Sequence, residues 1–178
     1  SLVEIQAIWG GCTAGAGCNA DTNIYSWTVV AQPTAPTLNK TPNLTTVCEG
    51  QDVSASLNTA GSGGDGCGAT YEYRFDGSGG WSAYTLGTDL SSTGHTLVEV
   101  RATWGGCTAG AGCVAATNTY SWPVVAQPTA PTLDKLPDLM TVCEGQDVSA
   151  SLNVAGSGGD GCGPTYEYRF DGGAWNAY

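Results

Sequence analysis

Positive charge is scarce in this sequence, which has five Lys and Arg residues against sixteen Asp and Glu residues and a net charge of -11. Such a surface repels phosphate backbones and anionic lipid headgroups, so we expect no nucleic-acid partner and no membrane insertion. Charged residues of both signs make up only 12% of the chain. A chain this poor in charge and rich in Gly, Ser and Thr is typical of β-structure with many turns, not of charged helices.

Long apolar runs are also missing, because the longest are short pieces such as residues 27–31 and a membrane span needs about 20 residues. No basic-then-apolar leader follows Ser1, so we expect any secretion signal to lie outside these residues or to have been removed. Histidine occurs once and Cys-x-x-Cys not at all, which disfavours a zinc site. The eight cysteines therefore predict disulfides in an oxidising compartment, and a secreted or cell-surface protein.

What the chain does contain is an internal repeat with an offset of 95 residues, as from Leu2 to Leu97 (97 minus 2). Residues 2–77 differ from residues 97–172 at 13 of 76 aligned positions. A period of this size is too long for helical solenoid units and fits one immunoglobulin-sized domain.

Within the period, apolar and polar residues alternate. The predicted inward positions are Val53, Ala55 and Leu57; Tyr71, Tyr73 and Phe75; Val98, Val100, Ala102 and Trp104; and Tyr120, Trp122 and Val124. Alternation of β-branched and aromatic residues between Gly, Asn, Asp or Pro turns predicts strands. We therefore predict an all-β fold of tandem immunoglobulin-like β-sandwich repeats with disulfides.

Proline-spaced linkers mark the predicted domain boundaries. The domains are residues 1–31, the C-terminal strands of a preceding repeat; 32–126, a complete repeat; and 127–178, the N-terminal strands of a following repeat. Half-domains have bare sheet edges and open core faces, which demand a partner. Either the chain continues at both ends, or the tail half of one copy completes the head half of the next by strand complementation and forms a filament.

Four motifs carry a family resemblance: Pro-Thr-Ala-Pro, Val-Cys-Glu-Gly-Gln-Asp-Val, Tyr-Glu-Tyr-Arg-Phe-Asp-Gly and Val-Glu-Val-Arg-Ala-Thr-Trp-Gly-Gly-Cys. Together they resemble the immunoglobulin-like and PKD-like tandem repeats of very long cell-surface proteins from gliding, Bacteroidetes-type bacteria. The resemblance covers the whole chain and implies an extracellular adhesin, stalk or fibre. It brings no catalytic residues with it.

Every cysteine is a disulfide candidate: Cys12, Cys18, Cys48, Cys67, Cys107, Cys113, Cys143 and Cys162. A Cys67–Cys113 bond would close a 46-residue loop (113 minus 67) and contribute about 4 kcal/mol, against about 2 kcal/mol for Cys107–Cys113. Cys48 is expected at the opposite end of the domain, where Cys162 of the next repeat could reach it. The resemblance instead implies Cys48 with Cys107, and these alternatives stay open.

His95 lies near Asp89 in a Ser- and Gly-rich stretch, so a Ser-His-Asp set can be drawn. A polar hairpin loop is the favoured interpretation, and we predict no enzyme. No cofactor is predicted either, although the loop residues Asp65, Asp76 and Asp89 are candidates for calcium.

The aromatic residues support a rival function. Trp104 and Trp122 fall at inward positions and are expected to fill the core, whereas Trp81, Tyr84 and Trp175 are candidates for exposed contacts with sugars. We predict an extracellular structural protein whose partners are copies of itself in a surface fibre, filament or adhesin stalk. The alternative is an array of carbohydrate- or ligand-binding modules directed at surface glycans.

Overall fold

The computed structural model describes residues 1–10, 19–107 and 112–178. These residues form strands and turns without any helix, which confirms the all-β prediction. In chain order the strands are β1 (Leu2–Trp9), β2 (Asp21–Thr28), β3 (Thr37–Thr41), β4 (Val47–Cys48), β5 (Asp52–Thr59), β6 (Gly68–Phe75), β7 (Ser82–Ala83), β8 (Leu90–Ser91), β9 (Leu97–Gly105), β10 (Ala116–Val125), β11 (Thr132–Leu136), β12 (Ser149–Val154), β13 (Glu167–Tyr168) and β14 (Asn176–Ala177).

Two larger sheets are built from residues 32–126. One has five strands in the order β4-β10-β9-β6-β7, and the other has three in the order β3-β5-β8. The short β4 runs parallel to the end of β10, with Val47 opposite Val124 and Cys48 opposite Val125. The flanking residues form three separate two-stranded sheets, β1-β2, β11-β12 and β13-β14.

The buried core follows the period-two pattern of the sequence in β5, β9 and β10, whereas residues 71–75 of β6, where Tyr71, Tyr73 and Phe75 are predicted inward, are all half-buried. Its most buried apolar members, each at most 1% exposed, are Val53, Ala55, Val98, Val100, Ala102 and Trp122. The alternation also predicts Leu57 to lie inward, but this side chain is 44% exposed, so that part of the prediction is wrong. Strand β8 pairs only with Asp52 and Val53, and Leu57 lies on the part of β5 that extends beyond this pairing.

The chain divides into two compact units. The first comprises residues 1–38, 57–71 and 101–118, and contains the β1-β2 hairpin together with the disulfide. The second comprises residues 39–56, 72–100 and 119–178, and contains most of the buried apolar side chains together with strands β11 to β14.

Candidate functional site

The β1-β2 hairpin exposes side chains whose equivalents in β9 and β10 are buried. Three positions of β9 and β10 are completely buried (0% exposed): Val98, Val100 and Trp122. The equivalent positions 95 residues earlier are about half exposed, at 48% for Val3, 58% for Ile5 and 52% for Trp27. The hairpin has its own antiparallel register, from Leu2 opposite Thr28 to Trp9 opposite Asp21. It is therefore a formed element with an uncovered apolar face.

Residues 127–178 expose the complementary set of positions. In residues 32–126 these are buried, with exposures of 6% for Leu38, 2% for Val47, 0% for Val53 and 7% for Tyr84. Their equivalents are open, with 43% for Leu133, 43% for Val142, 62% for Val148 and 60% for Tyr178. Burial of the exposed part of such a side chain is favourable by about 1 kcal/mol, roughly half the value for a fully exposed one.

The open face contains an apolar cleft of about 370 Å³. Its lining includes Leu133, Leu136, Val148, Tyr168 and Tyr178. Of these, Leu133, Val148 and Tyr178 are the equivalents of buried side chains in residues 32–126. The lining of the cleft is thus largely apolar surface whose equivalents form core in residues 32–126.

Strand lengths also show what residues 127–178 lack. Strand β6 has eight residues, whereas its repeat equivalent β13 has only two. The equivalent of β4, residues 142–143, forms no strand. In residues 32–126 these segments lie beside β9 and β10, respectively. The strand structure that differs between the copies is therefore the part that lies beside β9 and β10 in residues 32–126.

Several local contacts within residues 127–178 nevertheless repeat those of the equivalent positions in residues 32–126. The bridge between Thr34 and Ser62 recurs between Thr129 and Ser157. The hydrogen bond from the Ala55 amide to the Tyr84 hydroxyl, 2.9 Å long, recurs at 2.9 Å from Ala150 to Tyr178. Strand β14 pairs with β13 in the register of β7 with β6. Residues 127–178 therefore already have part of the local order of their equivalents.

Polar contacts join β9 and β10 to segments that precede them in residues 32–126. Glu99 of β9 accepts a 2.6 Å hydrogen bond from the Arg74 guanidinium of β6. The Trp122 indole donates to the Pro42 carbonyl at 2.9 Å. The Lys40 ammonium donates to the Ser121 carbonyl at 2.7 Å and lies 4.9 Å from the centre of the Trp122 ring, and burial lowers the pKa of Lys40.

Sequence reasoning missed the Arg74–Glu99 pair. Both residues lie at polar positions of alternating segments, which indicate exposed faces, yet Glu99 is only 9% exposed. The pair could be predicted only by knowing that β6 and β9 are neighbours in one sheet. Alternation within a single strand does not show which strands are neighbours. Loss of one partner from this part-buried pair leaves the other charge partly desolvated and without its counter-charge.

The three aromatic residues predicted to be exposed fall into different environments. Tyr84 is only 7% exposed, so that prediction is wrong: its hydroxyl donates to the Thr88 carbonyl at 2.7 Å, and burial raises its pKa. Trp81 is half-buried, with the Arg74 guanidinium 4.5 Å from its ring centre. Trp175 is 55% exposed beneath Arg169 at the same distance. A ligand-binding role for Trp81 and Trp175 stays a prediction.

His95 pairs with Asp76 and not with Asp89. Its Nδ1 lies 2.8 Å from an Asp76 carboxylate oxygen, and its ring stacks on Phe75 with 3.9 Å between centroids. The other Asp76 oxygen accepts hydrogen bonds from the Thr96 amide at 2.7 Å and the Thr96 hydroxyl at 2.9 Å. The cluster therefore fastens the turn after β6 to the start of β9.

This cluster predicts an acid-sensitive step in stability. The hydrogen bonds from the Thr96 amide, His95 and the Thr96 hydroxyl hold the pKa of Asp76 well below its ordinary value of 3.8. A depressed folded-state pKa gives stability that is complete above the unfolded-state pKa and is lost as pH falls below about 4. We expect the melting temperature of Asp76→Asn to fall less between pH 5 and pH 2 than that of the wild-type chain, as measured by circular dichroism. Parallel curves would contradict this role.

The cysteines pair in a way that the sequence alternatives do not include. The structure joins Cys67 to Cys107, whereas those alternatives were Cys67–Cys113, Cys107–Cys113, Cys48–Cys162 and Cys48–Cys107. Cys48, Cys113, Cys143 and Cys162 are free thiols. Cys12 and Cys18 lie outside the described residues.

The remaining candidate sites are not assembled by the described part of the chain. Asp65, Asp76 and Asp89 do not come together, and among the described residues no three His, Cys, Asp or Glu side chains form a metal-binding group. Nor does any helix long and apolar enough to cross a membrane occur among them. In comparisons with known proteins, the chain matches no family model, no curated protein and no solved structure.

Proposed function

We propose that this chain belongs to an extracellular structural protein of tandem immunoglobulin-like β-sandwich repeats, which forms a surface fibre, filament or adhesin stalk. One observation carries the proposal: equivalent residues are buried in residues 32–126 and exposed in both flanking segments. The flanking segments are therefore suited to being covered by like units. Nearly identical repeats make nearly identical interfaces, which favours a regular linear array.

The arrangement of β4 and β10 suits a repeat that carries load. These strands are parallel, and the Glu49 amide donates to the Val125 carbonyl at 2.8 Å just beyond their pairing. Tension that pulls the start and the end of the repeat apart would slide the two strands along each other. Several hydrogen bonds must then break together, which raises the barrier to unfolding.

Pulling a single chain from its two ends tests this proposal. We expect residues 32–126 to unfold in one abrupt step, in which the oxidised Cys67–Cys107 bond keeps 40 residues from extending. Reduction should lengthen the step by about 140 Å, at about 3.5 Å per released residue. Gradual extension without an abrupt step, in both redox states, would contradict a load-bearing repeat.

A further inference from the structure

We propose that the open face of residues 127–178 is a docking site for a second copy of this chain, whose β1-β2 hairpin takes the place that β9 and β10 occupy in residues 32–126. This inference rests on the proposed function and names the partner. The template for the junction is the packing within residues 32–126. There β9 and β10, whose sequence is nearly that of the hairpin, pack against a segment whose sequence is nearly that of the open face.

The hairpin matches the strands that it would replace. Residues 2–28 differ from residues 97–123 at 7 of 27 positions. Among the inward positions only one differs, with Ile5 in place of Val100. The other inward side chains are unchanged: Val3, Ala7, Trp9, Tyr25 and Trp27. The apolar face that would enter the junction is thus the one that residues 32–126 already bury.

Charge complementarity gives the junction its direction and register. The equivalents of Arg74 and Glu99 are Arg169 on the open face and Glu4 on the hairpin. Arg169 already lies over Trp175 at 4.5 Å, as Arg74 lies over Trp81. Docking would place Glu4 of one copy against Arg169 of the other and would bury this pair as Glu99 is buried.

A second contact, made by a lysine, would be repeated in the same way. Lys135, the equivalent of Lys40, is available on the open face to donate to the Ser26 carbonyl and to cover the Trp27 ring. In the isolated chain the Lys135 side chain is 60% exposed, and its ammonium lies 3.6 Å from an Asp138 carboxylate oxygen. The hairpin would therefore replace a solvent-exposed ion pair with the contacts of the complete repeat.

Within residues 1–178 each copy offers one hairpin and one open face, so the contact is between two different surfaces. Contacts of this type form open chains unless the rotation between copies closes a ring. For a polypeptide of residues 1–178, the expected product is a head-to-tail filament in which every junction resembles the packing of residues 32–126.

Two variants of the full chain test the docking. Trp27→Asp blocks the hairpin and leaves the open face intact, whereas Val148→Asp blocks the open face and leaves the hairpin intact. In sedimentation velocity we expect the wild-type chain to form species that grow with concentration, and each variant alone to stay monomeric. Mixed in equal amounts, the two variants should form a 1:1 dimer that grows no further. As a matched control, Ile24→Thr installs the residue found at position 119, on the outward face of the hairpin, and should polymerise like the wild type.

A charge exchange keeps the test valid if either Asp variant disturbs its own segment. Glu4→Arg and Arg169→Glu should each weaken association at least about tenfold. Mixing the two should restore growth, because every junction in an alternating filament then pairs opposite charges. A wild-type chain that stays monomeric at all concentrations, or variants that polymerise like the wild type, would overturn the inference. The pulling experiment uses single chains, so its abrupt step would survive this failure and the two proposals can fail separately.

Discussion

Trp122→Ala is expected to destabilise residues 32–126 by about 3–5 kcal/mol, the usual cost of removing a large aromatic side chain from a core. The indole is 0% exposed and donates to the Pro42 carbonyl, and Lys40 lies against its ring. Truncation therefore creates a cavity and leaves the Pro42 carbonyl without this donor. Chemical denaturation of the dilute chain, followed by near-ultraviolet circular dichroism, would measure the loss.

Trp27 provides the matched control for this experiment. It occupies the same repeat position but is 52% exposed. At concentrations below association, Trp27→Ala should change the unfolding free energy of residues 32–126 by no more than about 0.5 kcal/mol, as for most surface substitutions. An equal loss of unfolding free energy from Trp27→Ala and Trp122→Ala would contradict the difference in burial between these two tryptophans.

Removal of the disulfide is expected to have an effect of similar size. The double variant Cys67→Ser, Cys107→Ser loses a cross-link between positions 40 residues apart, which lowers the unfolding free energy by about 4 kcal/mol on the chain-entropy estimate. Treatment of the wild-type chain with a reductant should lower the denaturation midpoint as far as the double substitution does.

Cys162→Ser is the control for the disulfide prediction. Cys162 is the repeat equivalent of Cys67 but is a free thiol in the single chain. Its replacement should leave the midpoint of the dilute oxidised chain unchanged. A midpoint that is insensitive both to reductant and to the double variant would contradict a stabilising Cys67–Cys107 bond.

Much of the fold was predictable because strands with one buried face carry a period-two pattern. Val98, Val100 and Trp122 are predicted inward for this reason, and all three are buried. The 95-residue repeat adds a second kind of information, since it identifies equivalent positions from the residues alone. Comparison of their exposure between copies is what defines the candidate assembly surface.

Features that depend on which strands are neighbours were not predictable in the same way. The disulfide joins two loops whose proximity follows from strand order, and spacing along the chain does not reveal it. Tyr84 follows a Gly-rich turn like an exposed loop residue, yet its ring packs near Tyr73 and its hydroxyl binds the β5 backbone. Arg74 likewise finds its partner on β9 and not on its own strand.

The proposed assembly depends on burial of the open faces of the two flanking segments, residues 1–31 and 127–178, against like units. Oxidative labelling of tryptophans in the wild-type chain, followed by mass spectrometry across a range of protein concentrations, measures this burial. Labelling of Trp27 should fall towards the level of Trp122 as concentration rises. Rapid labelling of Trp27 at every concentration, with Trp122 protected throughout, would contradict the assembly.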